Sequence, residues 1–197
     1  MKYAWIKYYY HAQYEEMKKY IGEGRWHISG SSWDATDALV PSTESFIRNI
    51  MLGQQYYRQE FGVESTDIFL PDCFGFGWTL PTIASHCGLI GFSSQKLDWR
   101  VHPFYGKSKH PFTIGLWKGI DGSSIMLAHG YDYVRRWNDE DLSENEQLKE
   151  LAGRTPLNTV YRYYGTGDIG GSPTLASVRS VEKGLRGNGP VEIVSAT

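Results

Sequence analysis

Apolar residues recur at helical spacing over residues 1–21, where Trp5, Tyr9, Met17, Tyr20 and Ile21 fall near one stripe and Gly22 and Gly24 close the segment. The spacing returns after Pro41 and Ser42. There Phe46, Ile47, Ile50, Met51 and Tyr57 mark the inner face of a helix running to about residue 60, with Gly62 placed to end it. Shorter helices are predicted over 79–87, stopped by Gly88, and over 143–152, opened by Ser143-Glu144-Asn145-Glu146 as a capping box. Another is predicted over 172–183, opened by Ser172 and Pro173. Between them lie short apolar runs at 26–28, 66–70, 89–94, 112–117, 124–128, 159–164 and 191–194, which read as strands. Ile120-Asp121-Gly122 predicts a tight turn that makes 112–117 and 124–128 an antiparallel hairpin. Alternating helices and strands predict an α/β fold with a largely parallel sheet, in which 66–70, 89–94, 159–164 and 191–194 lie parallel. No repeat or low-complexity linker divides the chain, so one domain is expected over 1–197.

Composition narrows the function classes. The net charge is −2 and no long basic run exists, which argues against nucleic acid as the main partner. No window approaches the ~20 apolar residues of a helical membrane span. Glycine (22 residues) and aromatics (14 Tyr, 8 Phe, 7 Trp) are abundant. They suit either a cleft that stacks on a small ligand, sugar rings included, or simply a large aromatic core. Cys73 and Cys87 are too few for a disulfide framework or a zinc knuckle. Sequence does not decide whether they pair, and two free thiols is the simpler reading. The six histidines show no HxH, HxxxH or HExxH spacing, so no complete metal site is legible.

Three segments carry candidate chemistry. In Leu70-Pro71-Asp72-Cys73-Phe74-Gly75-Phe76-Gly77-Trp78, Asp72 lies just past a predicted strand, where parallel α/β folds place catalytic groups. The bland alternative, a cap for the helix near Thr79, is six residues off. In the second, Gly165, Gly167 and Gly170 spell G-x-G-x-x-G between a predicted strand and helix, with Glu192 further on, which is formally a dinucleotide fingerprint. Asp168 would oppose the phosphates and Pro173 removes an N–H, so the glycines are better read as letting Asp168 project into a cleft. Carboxylates at the ends of two strands are what glycoside hydrolysis needs. The third, Gly30-Ser31-Ser32-Trp33-Asp34-Ala35-Thr36-Asp37, precedes a helix carrying Glu44 and Arg48 and reads first as a loop tied to that helix.

In order, Trp26, Gly30-Ser31-Ser32-Trp33-Asp34-Ala35-Thr36-Asp37, Glu44-Ser45-Phe46-Ile47-Arg48, Leu70-Pro71-Asp72-Cys73-Phe74-Gly75, Leu80-Pro81, Gln95-Lys96-Leu97-Asp98-Trp99, Phe112, Trp117, Gly119 and Ile120-Asp121-Gly122-Ser123 resemble the catalytic domain of glycoside hydrolase family 38, the α-mannosidases. The match is most like the bacterial members and covers about residues 20–180. The resemblance implies an incomplete (β/α) barrel-like domain. It implies retaining hydrolysis of terminal α-mannosides in mannose-containing oligosaccharides, with one zinc ion. It makes Asp72 the nucleophile and a zinc ligand, and Asp168 the general acid/base. Lys96, Tyr131, Trp33 and Asp37 are the candidate substrate-contacting residues.

The family's His-x-His or His-x-Asp zinc motif and its later zinc-binding histidine have no counterpart here. The chain is therefore expected to be an internal piece of a longer enzyme, inactive alone, with flanking domains missing and the zinc ligands incomplete. Two alternatives stay open: a non-catalytic carbohydrate-binding relative, and a nucleotide-binding α/β domain.

Overall fold

The computed structural model describes residues 1–98, 113–130, 136–167 and 170–195. They form a mixed α/β fold: α1 (Lys2–Tyr9), α2 (His11–Gly22), α3 (Thr43–Phe61), β1 (Asp67–Phe69), α4 (Leu80–His86), β2 (Gly91–Ser94), β3 (Ile114–Lys118), β4 (Ser124–His129), α5 (Glu146–Gly153) and α6 (Leu175–Arg186). The sheet has the order β1-β2-β4-β3. β1 and β2 are parallel, with Ile68 beside Phe92. Met126 N–H donates to Ile90 O and Gly130 N–H to Ser94 O at one constant offset, so β2 and β4 are parallel too. Gly119 N–H donates to Ser123 O and His129 N–H to Thr113 O, the antiparallel pattern of the expected hairpin. Gly122 takes φ 85° at its turn, which only glycine adopts without strain. The largely parallel sheet thus holds, as an open four-stranded one.

The chain divides into two compact units: Met1–Ser93 with Leu116–Met126, and Ser94–Gly115 with Leu127–Thr197. In the first, Tyr14, Met17 and Ile21 form a core against Tyr3, Ile6, Ile28, Phe61 and Val63. Glu60 accepts from Lys7 Nζ (2.5 Å) and Tyr14 Oη (2.6 Å), which hold its carboxyl below the usual range. Burial, then the bond to Glu60, pushes the Tyr14 hydroxyl up. In this unit too, Asp121 at the hairpin turn accepts from Thr82 Oγ1 (2.8 Å) and Ser123 Oγ (2.6 Å), and its other oxygen meets His86 Nε2 (2.8 Å). The bonds to Ser123, His86 and Thr82 hold its carboxyl well below the ordinary carboxylate value.

In the second unit, Trp137, Leu142 and Leu148 pack with Val181, Val191 and Ile193. The buried face of α6 is small: Ser177 Oγ accepts from Trp137 N–H (2.9 Å) and Ser180 Oγ from Glu140 N–H (2.9 Å). Cys73 and Cys87 are both free. No helix among the described residues is long and apolar enough to cross a membrane.

Several expectations need correcting. The first helix is two, broken at Tyr10 (φ −137°, ψ 60°), the last of three consecutive tyrosines with poor helix preference. The break resets the helical phase, so Trp5 and Tyr9 are exposed while Tyr14 joins Met17 and Ile21 inside. On α3, Met51 lies one position off the buried Phe46–Ile50–Tyr57 stripe and is exposed. α5 is capped by Asn145, whose side chain accepts from Leu148 N–H, because residues 142–144 form their own 3₁₀ turn capped by Asp141. Thr174, not Ser172, caps α6.

Residues 26–28 form no strand, and neither do 159–164 or 191–194. The Thr159 carbonyl is taken by the Thr155 hydroxyl (3.0 Å) and that of Thr113 (3.5 Å) rather than by a ladder. Among the described residues, Val191 N–H donates to Ser143 O (3.0 Å), a bond to a 3₁₀ turn rather than to a strand, and Pro190 beside it has no N–H to give.

Candidate functional site

Asp72 owes its place to β1. Ile68 is fully buried, and Leu70 N–H donates to Ser93 O (3.1 Å), carrying the parallel pairing one residue past the strand. Pro71 and Asp72 then turn, leaving Asp72 exposed at the carboxyl end of a parallel strand. Cys73 is buried again, and its sulfur accepts from Ala38 N–H (3.3 Å) and donates to Gly75 O (3.5 Å). Phe76 packs edge-on to Phe92 (5.0 Å), while Phe74 and Trp78 are exposed.

A polar frame holds the loop 29–40 beside this strand. Asp67 takes Ser29 Oγ (2.8 Å), Gly30 N–H (2.9 Å) and Ser65 Oγ (2.9 Å) on its carboxylate, and Ser31 N–H (3.0 Å) on its carbonyl. Gln54 is buried in α3 and bonds both the N–H (3.1 Å) and the carbonyl (2.5 Å) of Ser65. Asn49 clasps the loop from the same helix: its amide bonds Asp34 N–H (3.1 Å) and Asp34 O (2.9 Å), and its own carbonyl takes Trp33 N–H (2.8 Å). Gly53 lets the loop lie on α3, for a Cβ there would meet Ser32 C and Trp33 N at 2.6 Å.

Trp33 is half-buried, its ring edge-on to Tyr56 at 5.3 Å. Asp37 is exposed, and its Oδ1 accepts from Leu39 N–H (2.7 Å) and Val40 N–H (2.9 Å), which lower its pKa in that order. The structure therefore brings Asp37's turn against Asp72's loop. Lys96 belongs to the second unit, in a 3₁₀ turn (Lys96–Asp98) whose first N–H donates to Ser94 Oγ (3.1 Å). Asp168 and Tyr131 lie outside the described residues. Asn49, Gln54 and Asp67 were not legible as framing residues. The one available signal was a polar Gln54 inside the apolar stripe of α3, which in a buried position must find partners.

A groove of about 620 Å³ along α3 and the end of α4 is lined by Ile47, Arg48, Met51, Arg58, His86 and Cys87, among others, and contains none of the candidate residues. The glycine motif loses its dinucleotide context. No strand precedes Gly165, and α6 opens at Leu175 rather than at the third glycine. For a metal, no three His, Cys, Asp or Glu side chains gather among the described residues. Asp72 alone does not supply the three or four ligands zinc takes, so the described residues do not by themselves fit the ion.

Residues 1–196 match the model of the glycosyl hydrolases family 38 N-terminal domain. The chain belongs to that family. It is 35% identical over 181 residues to alpha-mannosidase G of Dictyostelium discoideum, covering 89% of this chain and 16% of that protein. It is 30% identical over 172 residues to mouse alpha-mannosidase 2C1, covering 86% of this chain and 16% of that protein. The chain thus spans about a sixth of the length of these relatives. Among solved structures, an alpha-mannosidase from Enterococcus faecalis superposes with TM-score 0.60 at 18% identity over 87% of this chain and 19% of its own. A 4-alpha-glucanotransferase from Thermococcus litoralis gives 0.62 at 13% identity over 94% of this chain and 28% of its own. At those identities the likeness is one of fold.

Proposed function

We propose that these residues form part of the catalytic domain of an α-mannosidase that cleaves terminal α-mannosides in mannose-containing glycans with retention. The observation that carries this reading is the exposed Asp72 at the carboxyl end of β1 in a family 38 chain. A carboxylate at the open end of a parallel strand stands where a sugar's anomeric carbon can be brought to it. In the proposed reaction a carboxylate oxygen of Asp72 bonds to that carbon. The glycosidic C–O bond breaks, and its electron pair goes to the leaving oxygen, which takes the proton of Asp168. Asp168 then accepts a proton from water, the water oxygen bonds the same carbon from the opened side, and Asp72 leaves as carboxylate. Lys96, Tyr131 and Trp33 are proposed sugar contacts. Asp72 is also proposed as one zinc ligand, the others coming from outside the described residues.

The test is labelling with an activated fluorinated mannosyl fluoride, on the 197-residue chain and within a protein of the relatives' full length. The longer protein is expected to release fluoride and carry the sugar as an ester on the peptide containing Asp72, and Asp72→Ala to lose both label and mannoside cleavage. Asp168→Ala should slow substrates with poor leaving groups far more than activated aryl mannosides. A label on another carboxylate, or full activity in Asp72→Ala, would remove Asp72 from the role.

A further inference from the structure

The 37–40 turn and the loop carrying Asp72 are joined at two points. Ala38 N–H donates to the buried Cys73 sulfur at 3.3 Å, one residue from Asp72. The Leu39 side chain lies against Gly75, where an added Cβ would sit inside contact distance of Leu39 Cδ1 and 3.4 Å from its Cγ. The turn that presents Ala38 and Leu39 is itself closed by Asp37, whose Oδ1 accepts from both Leu39 and Val40 N–H. A side-chain oxygen that captures two successive backbone N–H groups fixes the direction of the chain between them. The Cys73 sulfur passes the restraint on, through its bond to Gly75 O across the Phe74 link.

We infer that Asp37 is a positioning residue for Asp72: it closes a turn that latches onto Cys73 and Gly75 and so sets where the Asp72 carboxylate stands. This rests on the reading of Asp72 as the nucleophile. Asp37 then works through its oxygen as a hydrogen-bond acceptor. Its charge has no part, which separates this role from direct contact with a sugar hydroxyl.

Two arms test the inference. In the 197-residue chain, alkylation by iodoacetamide is followed at each cysteine by peptide mass mapping, with Cys87 as the internal control. Asp37→Ala should raise the Cys73 rate about five-fold by opening the turn more often. Leu39→Ala, at an exposed position that leaves the fold intact, should raise it too. Asp37→Asn keeps the accepting oxygen and should restore the slow rate. An unchanged Cys73 rate in both alanine variants overturns the latch.

In the family-length protein, Asp37→Ala should lower kcat about ten-fold or more with KM unmoved, because a displaced nucleophile costs the chemical step rather than binding. Asp37→Asn should recover most of that loss. If Asp37→Asn is as poor as Asp37→Ala, or raises KM, the carboxylate charge touches the sugar and the inference fails. A family-length protein inactive on every mannoside would defeat the proposed function, and the thiol arm would still decide the latch.

Discussion

Gly53→Ala is the sharpest test of how the loop is seated on α3. In a helix interior, alanine is ordinarily better than glycine by about 1 kcal/mol. Here the added Cβ would run into backbone: Ser31 O, and Ser32 C and Trp33 N at 2.6 Å. Carbon prefers about 3.5–4.0 Å, so the loop must retreat by roughly 1 Å. Overpacking of this kind costs about 1–3 kcal/mol. The retreat also strains Trp33 N–H to Asn49 O, a bond of 2.8 Å, whose net worth is about 1 kcal/mol. Set against the helix gain, the net is a loss of about 2 kcal/mol. Gly22→Ala is the control, since nothing lies within 4 Å of a Cβ there, and it should stabilise by up to about 1 kcal/mol. Urea denaturation of both variants reads the difference. A Gly53→Ala protein as stable as the unaltered chain would refute the close seating of the loop.

Three further outcomes are expected. Gln54→Leu strands the buried N–H of Ser65 and leaves its carbonyl with the long bond from Ser31 Oγ (3.4 Å), and should cost about 1–3 kcal/mol; a thermal melt within a degree of the parent's would sink this. Burial pushes Tyr57 up to about 12 and also raises Tyr14 and Tyr56. The unfolded chain then gives up these protons first, so stability is intact below about pH 10 and falls as pH climbs from there toward 12. Tyrosinate absorbance followed alongside circular dichroism checks it, and titration of every tyrosine near pH 10 in the folded chain contradicts it. By itself the 197-residue chain should bind no zinc in the micromolar range or tighter in equilibrium dialysis, because no three ligating side chains gather among the described residues to hold the ion.

What the sequence made legible was local. The helix start at Pro41–Ser42, the Gly62 stop and the Asp121–Gly122 turn each depend on two or three adjacent residues, and each appears where expected. The misses arise where a distant partner decides. Residues 159–164 have the apolar look of a strand, yet Thr113 and Thr155 hydroxyls take the Thr159 carbonyl. Periodicity over residues 1–21 held after Tyr10, where Met17 and Ile21 are buried, and failed before it, where Trp5 and Tyr9 are exposed. At the site, Asp72 was readable from its place after an apolar run, whereas the frame of Asn49, Gln54 and Asp67 was not. Those three act by bonding backbone far along the chain, and spacing alone carries no trace of that.

The orientation of β4 between its two neighbours bears on the order in which the chain folds. Joining β4 to β3 closes only the short turn from Gly119 to Ser123, whereas joining it to β2 must bring Ile90 to Met126. Closure entropy grows with the logarithm of loop length, and the longer closure costs about 2 kcal/mol more. The hairpin is therefore the fast, local event, and the parallel pairing waits for the long segment between to be gathered in. Until it is, the backbone groups on the edge of β4 that will pair with β2, Met126 N–H and Gly130 N–H among them, stay unpaired. In that interval the open edge can meet another chain instead, so the yield of folded protein falls as its concentration during folding rises.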